Sequence, residues 1–362
     1  MNLSPDTLQA KDLWARLLEG QVQVIDVRAP VEFAAGSLPA SVNRPILNDN
    51  ERALVGTTYR IEGPERAIEL GHQLVSGAIK EERIQAWIQT YSQRPKHTVM
   101  TCFRGGLRSQ LAQSWMRERG YALARLDGGY KKMRQFLMDE LAAASFQNML
   151  VLTGKTGAGK TQFLRESAYP SVNLELLARH RGSAFGAYPE PQPTQINYEN
   201  ELALALGKTK IRLLNRPLLV EDESRMIGSI VQPEAFFLRK RDSPVLVLNE
   251  SLEDRIENTY QEYVVSRSRD PELFLSLRAS IQKIQAKLGG LRSQEILGDL
   301  GAAETHFRET GELSPSRRWI EKLLAWYYDP LYEKSFLQRR PQVLAMGGRS
   351  EIHSYLASIK TS

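Results

Sequence analysis

The octapeptide Gly154-Lys155-Thr156-Gly157-Ala158-Gly159-Lys160-Thr161 constrains this chain more than any other stretch. It matches G-x-x-x-x-G-K-[ST] at every fixed position. Glycines at 154, 157 and 159 let backbone N–H groups curl around a phosphate without Cβ clashes. The motif needs a strand before it and a helix after it, because the helix N-terminus adds partial positive charge. The flanks comply: Met149 to Leu152 form an apolar run, and a helix is expected to start near Lys160. In such a loop Lys160 reaches the terminal phosphates and Thr161 offers its hydroxyl to Mg²⁺. The loop binds a diphosphate but does not say what is attached to it.

A phosphate loop belongs in an α/β domain with parallel strands. Further strands are expected at 216–222, 243–250 and 342–348, and helical periodicity dominates 252–330, interrupted by AKLGGLRS at 286–293. The acid on the metal side should end a neighbouring strand. RPLLVEDES offers Glu221, Asp222 and Glu223; Asp222 is the first choice, with Glu221 and Glu223 as rivals, so Thr161 and Asp222 are the candidate Mg²⁺ pair. Asn249-Glu250-Ser251 followed by Asp254-Arg255 resembles the strand-to-helix region of small-molecule kinases, where Arg255 either touches a phosphate or forms a surface ion pair.

The second constraining stretch is TCFRGGLRSQ, residues 101–110, which holds the only cysteine of the 362 residues. HTVMTC at 97–102 reads as a strand and 108–120 as an amphipathic helix stopped by Gly120. Cys102 thus sits between a strand end and a helix start, a position that favours the thiolate. The N–H groups of Phe103 to Arg108 can hold an anion beside the sulfur, and Arg104 and Arg108 add fixed charge, as a nucleophilic sulfur requires. The competing reading is a buried structural cysteine. QVQVIDVR at 21–28 is another strand, 29–45 a short helix and loop, and 64–92 helical.

The length suggests two domains, with a boundary near 140–147. A lone cysteine excludes an internal disulfide and a multi-cysteine zinc site, and it fits a reducing cytosol. No signal pattern opens the chain and no apolar run is long enough to span a membrane, so a cytoplasmic protein is expected. The net charge of +6 leans toward a polyanionic partner. Basic residues interleave with aromatics at Arg317, Arg318, Trp319, Lys322, Trp326, Tyr327 and Tyr328, and recur at Arg339 and Arg340. This pattern suits single-stranded RNA loops. Helical spacing also makes some of these aromatics core residues, Trp326 first among them.

IDVRAPVEFAAGSLPASVN at 25–43 resembles the first rhodanese signature through Asp26, Arg28, Glu32, Phe33, Gly36, Pro39 and Asn43. The loop after HTVMTC and LDGGY at 126–130 resemble the next two. The resemblance implies a chalcogen-transfer role for Cys102. The loop departs from that pattern: five residues separate Cys102 from Arg108, where an ordinary rhodanese has four. C-x5-R is also the spacing of cysteine phosphatases, so a phosphatase or a sulfurtransferase fused to a P-loop kinase-like domain is the alternative. A third reading is a loop widened for a tetrahedral donor such as selenophosphate.

A rhodanese-like parallel-sheet domain (1–140) followed by a P-loop NTPase-like α/β domain (147–362, helical segment about 252–330) is a specific pairing. With the insert at 51–76, LARHRGSAFGAYPEPQPTQINYEN at 177–200 and VEDESRMIG at 220–228, the chain resembles the bacterial tRNA 2-selenouridine synthases. The resemblance implies a transferase that acts on the wobble 5-substituted 2-thiouridine of a tRNA anticodon loop. Geranyl diphosphate and selenophosphate are its implied co-substrates, and a selenophosphate-producing enzyme is a candidate partner. His180, Arg181 and Tyr198 fall in the family-like middle segment and are candidates to line the second site.

Overall fold

The structure is a computed structural model, and it describes residues 6–144, 148–186, 190–213 and 215–359. Residues 145–147 of the expected domain junction and 187–189 of the middle segment lie outside those. The chain divides into two compact units, Met1–Ala144 with Pro193–Lys208, and Ser145–Gln192 with Thr209–Ser362. Side-chain chemistry explains why Pro193–Lys208 clusters with the first unit: Tyr198 and Leu202 are fully buried. The Asn197 Oδ1 also accepts from the Ser37 N–H at 2.7 Å, and Arg134 donates to Asn200 at 2.6 Å.

In the first unit β1 (Thr7–Leu8), β2 (Gln23–Asp26), β3 (Ser41–Asn43), β4 (Thr98–Thr101) and β5 (Ala124–Leu126) form one sheet in the order β1-β5-β4-β2-β3. Every pairing is parallel. All residues of β2 and β4 are buried, as in a sheet covered on both faces. Ile25, Val27, Trp87, Met100, Trp115 and Met116 share one core cluster. The short strand β3 occupies what reads in the sequence as loop; three residues are too few to show an alternating pattern.

The insert folds as a helical hairpin, Asp49–Glu62 and Pro64–Leu74, followed by the helix Gly77–Gln93. A capping box starts it: Asn48 Oδ1 accepts the Glu51 N–H at 2.9 Å, and Glu51 accepts the Asn48 N–H at 2.7 Å. Gly63, at φ +93°, makes the turn, and Pro64 opens the second helix.

In the second unit β6 (Met149–Thr153), β7 (Ser171–Val172), β8 (Leu218–Glu221), β11 (Val245–Leu248) and β12 (Val343–Gly347) form a parallel sheet ordered β12-β11-β6-β8-β7. A small antiparallel pair, β9 (Met226–Ile227) and β10 (Ile230–Val231), lies outside it. β6 is central and β7, the next strand in the chain, is not its neighbour. The strand order therefore reverses at the end of β6, where α/β sheets bind ligands. The helical portion packs Leu277, Ile281, Ile296, Leu300, Trp319 and Leu324 into its own core. It breaks at Gly289, φ +93°, within the expected interruption, and runs on to Arg339. No helix among the described residues is long and apolar enough to cross a membrane.

Candidate active sites

The first site is built on β4. Cys102 follows it directly, and the helix Leu107–Glu118 begins after an N-cap at Gly106. The buried thiol donates to Ser109 Oγ at 3.2 Å, and its Sγ lies 3.8 Å from the Gly106 carbonyl. Among the described residues, the N–H groups of Phe103 to Arg108 donate to no backbone carbonyl. That is the arrangement of an anion-binding nest. The LDGGY turn holds the loop from behind: the N–H of Tyr130 donates to the Cys102 carbonyl and that of Lys131 to Phe103, both at 2.9 Å. Arg125 adds a 2.8 Å bond to the Gly105 carbonyl. Gly129, at φ +61°, packs so closely that a Cβ would collide with the Gly105 nitrogen and the Cys102 oxygen.

The first signature shapes the wall. Asp26 and Arg28 form a buried pair at 2.7 Å, and Arg28 also donates to the Gly36 carbonyl at 2.8 Å. The Arg28 guanidinium lies 3.8 Å from the centre of the Tyr130 ring. Asn43 ties the carbonyls of Asp26 and Arg28 at 3.0 and 2.8 Å. Arg108 grips Glu32 in a bidentate pair at 2.6 and 3.1 Å. Burial opposes the charge on Glu32, yet the hydrogen bonds and charge of Arg108 outweigh it and hold this carboxyl below its ordinary value. Arg108 therefore reaches the loop already paired, whereas Arg104 is exposed. A cavity of about 1010 Å³ opens over the loop, lined by Phe103, Arg104 and Arg108 and by Arg28, Arg52 and Arg60.

The second site is built on β6. Gly154, Gly157 and Gly159 have φ of +157°, +82° and +75°. A side chain at Gly157 would strike the Arg255 carbonyl at 2.5 Å. Lys160 Nζ caps the loop on the Gly154 carbonyl at 2.9 Å. Arg255 is neither on the surface nor turned outward: it is buried, donates to the Thr156 carbonyl at 2.9 Å and pairs with Asp329. Asn258 secures the Gly157 carbonyl at 2.9 Å.

The structure separates the candidate acids. Asp222 does not meet Thr161; it accepts from Thr153 Oγ1 at 2.7 Å and pairs with Arg339 at 3.0 Å. Thr161 Oγ1 instead donates to Glu175 at 2.7 Å, and Glu221 accepts the Glu175 N–H at 2.7 Å. Asp222 directly follows β8, and its side chain and that of Glu221 reach different partners, as alternation along an extended chain dictates. Burial raises Glu175, and burial together with the Glu175 charge pushes Glu221 up to about 7. Glu223 is pushed up by burial and then by the charges of Glu175 and Glu221. Lys240, buried behind them, donates to the Glu223 carbonyl at 2.6 Å and is lowered to about 8 by burial, against the pull of nearby acids. Neither Glu175 nor Lys240 stands out in the sequence, although an acid inside the apolar run Leu174-Glu175-Leu176-Leu177 is a usable signal. The donors around Thr161 are hard oxygens, the type Mg²⁺ takes. Among the described residues no group of three or more His, Cys, Asp or Glu is arranged to hold a metal.

A cavity of about 970 Å³ reaches Thr156 of the loop, lined by Asp222, Glu223, Lys240, Arg339 and Arg340 among others. Of the basic and aromatic candidates, Arg317 pairs with Glu257 at 2.8 Å, Arg318 with Asp299 at 3.3 Å, and Lys322 with Glu295 and Asp299 at 2.6 and 2.7 Å. Their charge is largely answered within the fold. Trp319 and Tyr327 are core residues, while Trp326 is only partly buried, so the core role expected first for Trp326 belongs to Trp319. His180 is lowered by burial and then by the charges of Arg181 and Lys283, so its ring is neutral near neutrality. Arg181 pairs with Glu262 at 3.0 Å. Tyr198 belongs to the first unit and is fully buried.

A thiol in an anion cradle at the end of one parallel sheet, and a phosphate loop at the switch point of another, define a rhodanese-like domain joined to a P-loop domain. Residues 9–135 match the rhodanese-like domain family, and residues 147–362 match the family described as tRNA 2-selenouridine synthase AAA domain. A curated protein from Bdellovibrio bacteriovorus, named tRNA 2-selenouridine synthase, is 43% identical, with 99% of each chain covered. One of the same name from Nitrosomonas eutropha is 42% identical over 99% of this chain and 98% of its own. The chain belongs to the tRNA 2-selenouridine synthase family.

Proposed function

We propose that this protein makes 2-selenouridine at the wobble position of tRNA in two chemical steps, one at each loop. The observation that carries the reading is the presence of two separate anion cradles, only one of which holds a thiol. The thione sulfur of a 2-thiouridine would have to leave C2 as sulfide, a far poorer leaving group than an alkylthiolate, so selenium cannot simply displace it. In the first step the uridine sulfur attacks C1 of geranyl diphosphate. The C–O bond breaks, diphosphate leaves with the electron pair, and the base loses its N3 proton. The loop amides and Lys160 stabilise the departing diphosphate. A divalent cation would be held through Thr161, with Glu175 rather than Asp222 as the acid beside it, and would neutralise further charge on the leaving group.

In the second step selenophosphate sits in the cradle of Phe103 to Arg108, its phosphoryl oxygens on the amides and Arg104. A C–Se bond forms at C2, the C–S bond breaks with geranylthiolate carrying its pair, and water takes the phosphoryl group as phosphate. Cys102 is the nucleophile of this second step: its thiolate attacks phosphorus, the P–Se bond breaks with selenium keeping the pair, and that water then releases the phosphoryl group from sulfur as phosphate. The Glu32 grip on Arg108 weighs against a phosphatase, which would need that guanidinium for its own ester. Selenophosphate would come from a separate synthesising enzyme, and the reaction is assigned to the cytoplasm, where a lone thiol stays reduced. Mass spectrometry of wobble nucleosides from cells with and without this protein tests the reading. Loss of both S-geranyl-2-thiouridine and 2-selenouridine is expected in its absence, and unchanged nucleosides would refute it.

A further inference from the structure

The helical hairpin of the first unit is poorly buried for its composition. Glu51 is the only buried residue of Asp49–Glu62, and Ala67 the only one of Pro64–Leu74. Leu54, Tyr59, Ile61 and Ile68 are 54%, 61%, 74% and 42% exposed, and Leu107, on the sulfur loop, is 44% exposed. Of these, Tyr59, Ile68 and Leu107 line one recess, and apolar side chains left together on a surface mark a site of interaction. Beneath them, between the hairpin and the helix Leu107–Glu118, lies a cavity of about 330 Å³. Val55, Ala67, Ile68, Leu111 and Trp115 form its walls. A recess with walls of this kind favours an apolar guest. Its volume is at the low end for small-molecule pockets.

The chamber is not isolated. Leu47, Val55, Tyr59 and Arg108 line both it and the arginine-rich cavity over the sulfur loop. The two together form an amphiphile's site: a narrow apolar end, and a wide cationic end over Phe103, Arg104 and Arg108 of the loop that carries Cys102. In the two-step reading, on which this inference rests, the substrate of the selenium step is a nucleotide carrying a geranylthio group on the carbon to be attacked. We propose that the chamber holds the geranyl chain of the S-geranylated wobble uridine, with the nucleotide's phosphates over the arginines and C2 facing the sulfur loop. Seating the chain positions the base and gives geranylthiolate a place to go as its bond breaks. It also makes the site reject 2-thiouridine that has not yet been activated.

The test uses the full chain and two synthetic anticodon stem-loops, one with S-geranyl-2-thiouridine and one with 2-thiouridine at the wobble position. The wild type is expected to bind the geranylated RNA at least about tenfold more tightly. Ile68→Glu, at a position 42% exposed, brings that ratio to near one, and Ile68→Leu keeps it; a thermal melt checks folding. A ratio near one in the wild type, or an undiminished ratio in Ile68→Glu, overturns the proposal. So does loss of geranyl diphosphate binding in Ile68→Glu with the RNA preference intact, which would assign the chamber to the free donor. The two readings fail separately. A wild type that selenates the RNA but shows no preference sinks the chamber alone, and a preference without either transfer reaction sinks the two-step reading while supporting the chamber.

Discussion

The two loops share one plan, a strand running through glycines into a helix, yet their surroundings carry opposite charge. The sulfur loop is walled by Arg28, Arg52, Arg60, Arg104 and Arg108, with Glu32 the acid that holds Arg108 in place. The phosphate loop has Lys160 above a cluster of Glu175, Glu221 and Glu223. A basic wall is ready for an anion without preparation. An acidic floor is not: burial raises Glu175, Glu221 and Glu223, so the charge they present depends on protons or a cation. One cradle is set by permanent charge, the other by charge that titrates.

The sharpest break in that contrast is expected from Cys102→Ala. Selenium incorporation into geranylated RNA should fall by at least about a thousandfold, as for loss of a nucleophile, with geranyl transfer intact. Retained 2-selenouridine formation by mass spectrometry would remove Cys102 from the reaction. Lys160→Ala should do the converse, lowering geranyl transfer by about a hundredfold or more while pre-geranylated RNA is still selenated; an unchanged transfer rate would free the phosphate loop of its diphosphate role. Glu32→Gln should weaken the hold on Arg108 and cost about tenfold in kcat for the selenium step, measured at saturating RNA, and a rate equal to the wild type would show that Arg108 needs no partner.

The smallest effect is on stability. A carboxyl whose value is raised by folding holds a proton the unfolded chain has already released. Stability from Glu221 is therefore full below its ordinary 4.5 and is lost as pH climbs through about 7. Glu221→Gln keeps the acceptor for the Glu175 N–H and should flatten that decline, by on the order of 3 kcal/mol at most. Urea melts across this range measure it, and parallel slopes for the two proteins would show that Glu221 does not titrate there.

Much of this was legible because it is local. The glycines of both loops, the strands beside them and the lone thiol are set by neighbours within a few residues. Long-range pairing is not written that way. Nothing near Asp222 says that Arg339 will claim it, and nothing near Arg317 or Lys322 says that Glu257, Glu295 and Asp299 will answer their charge. Glu175 was hidden for the same reason: its partners Thr161 and Glu221 are distant in the chain. The helix Asp49–Glu62 is not legible from periodicity because Val55 and Tyr59 line a cavity while Leu54 and Ile61 are exposed, so no core-facing stripe marks it.

The close approach of Gly129 to Gly105 has a consequence for the choice of donor. Backbone packed on backbone leaves no side chain to swing aside, so the ring of amides around the sulfur has a fixed bore. In the proposed donor site, selectivity for the shape of the incoming anion would then rest on two residues that carry no functional group, and widening or narrowing the ring would require moving the whole turn between β5 and the helix Gly129–Ala144.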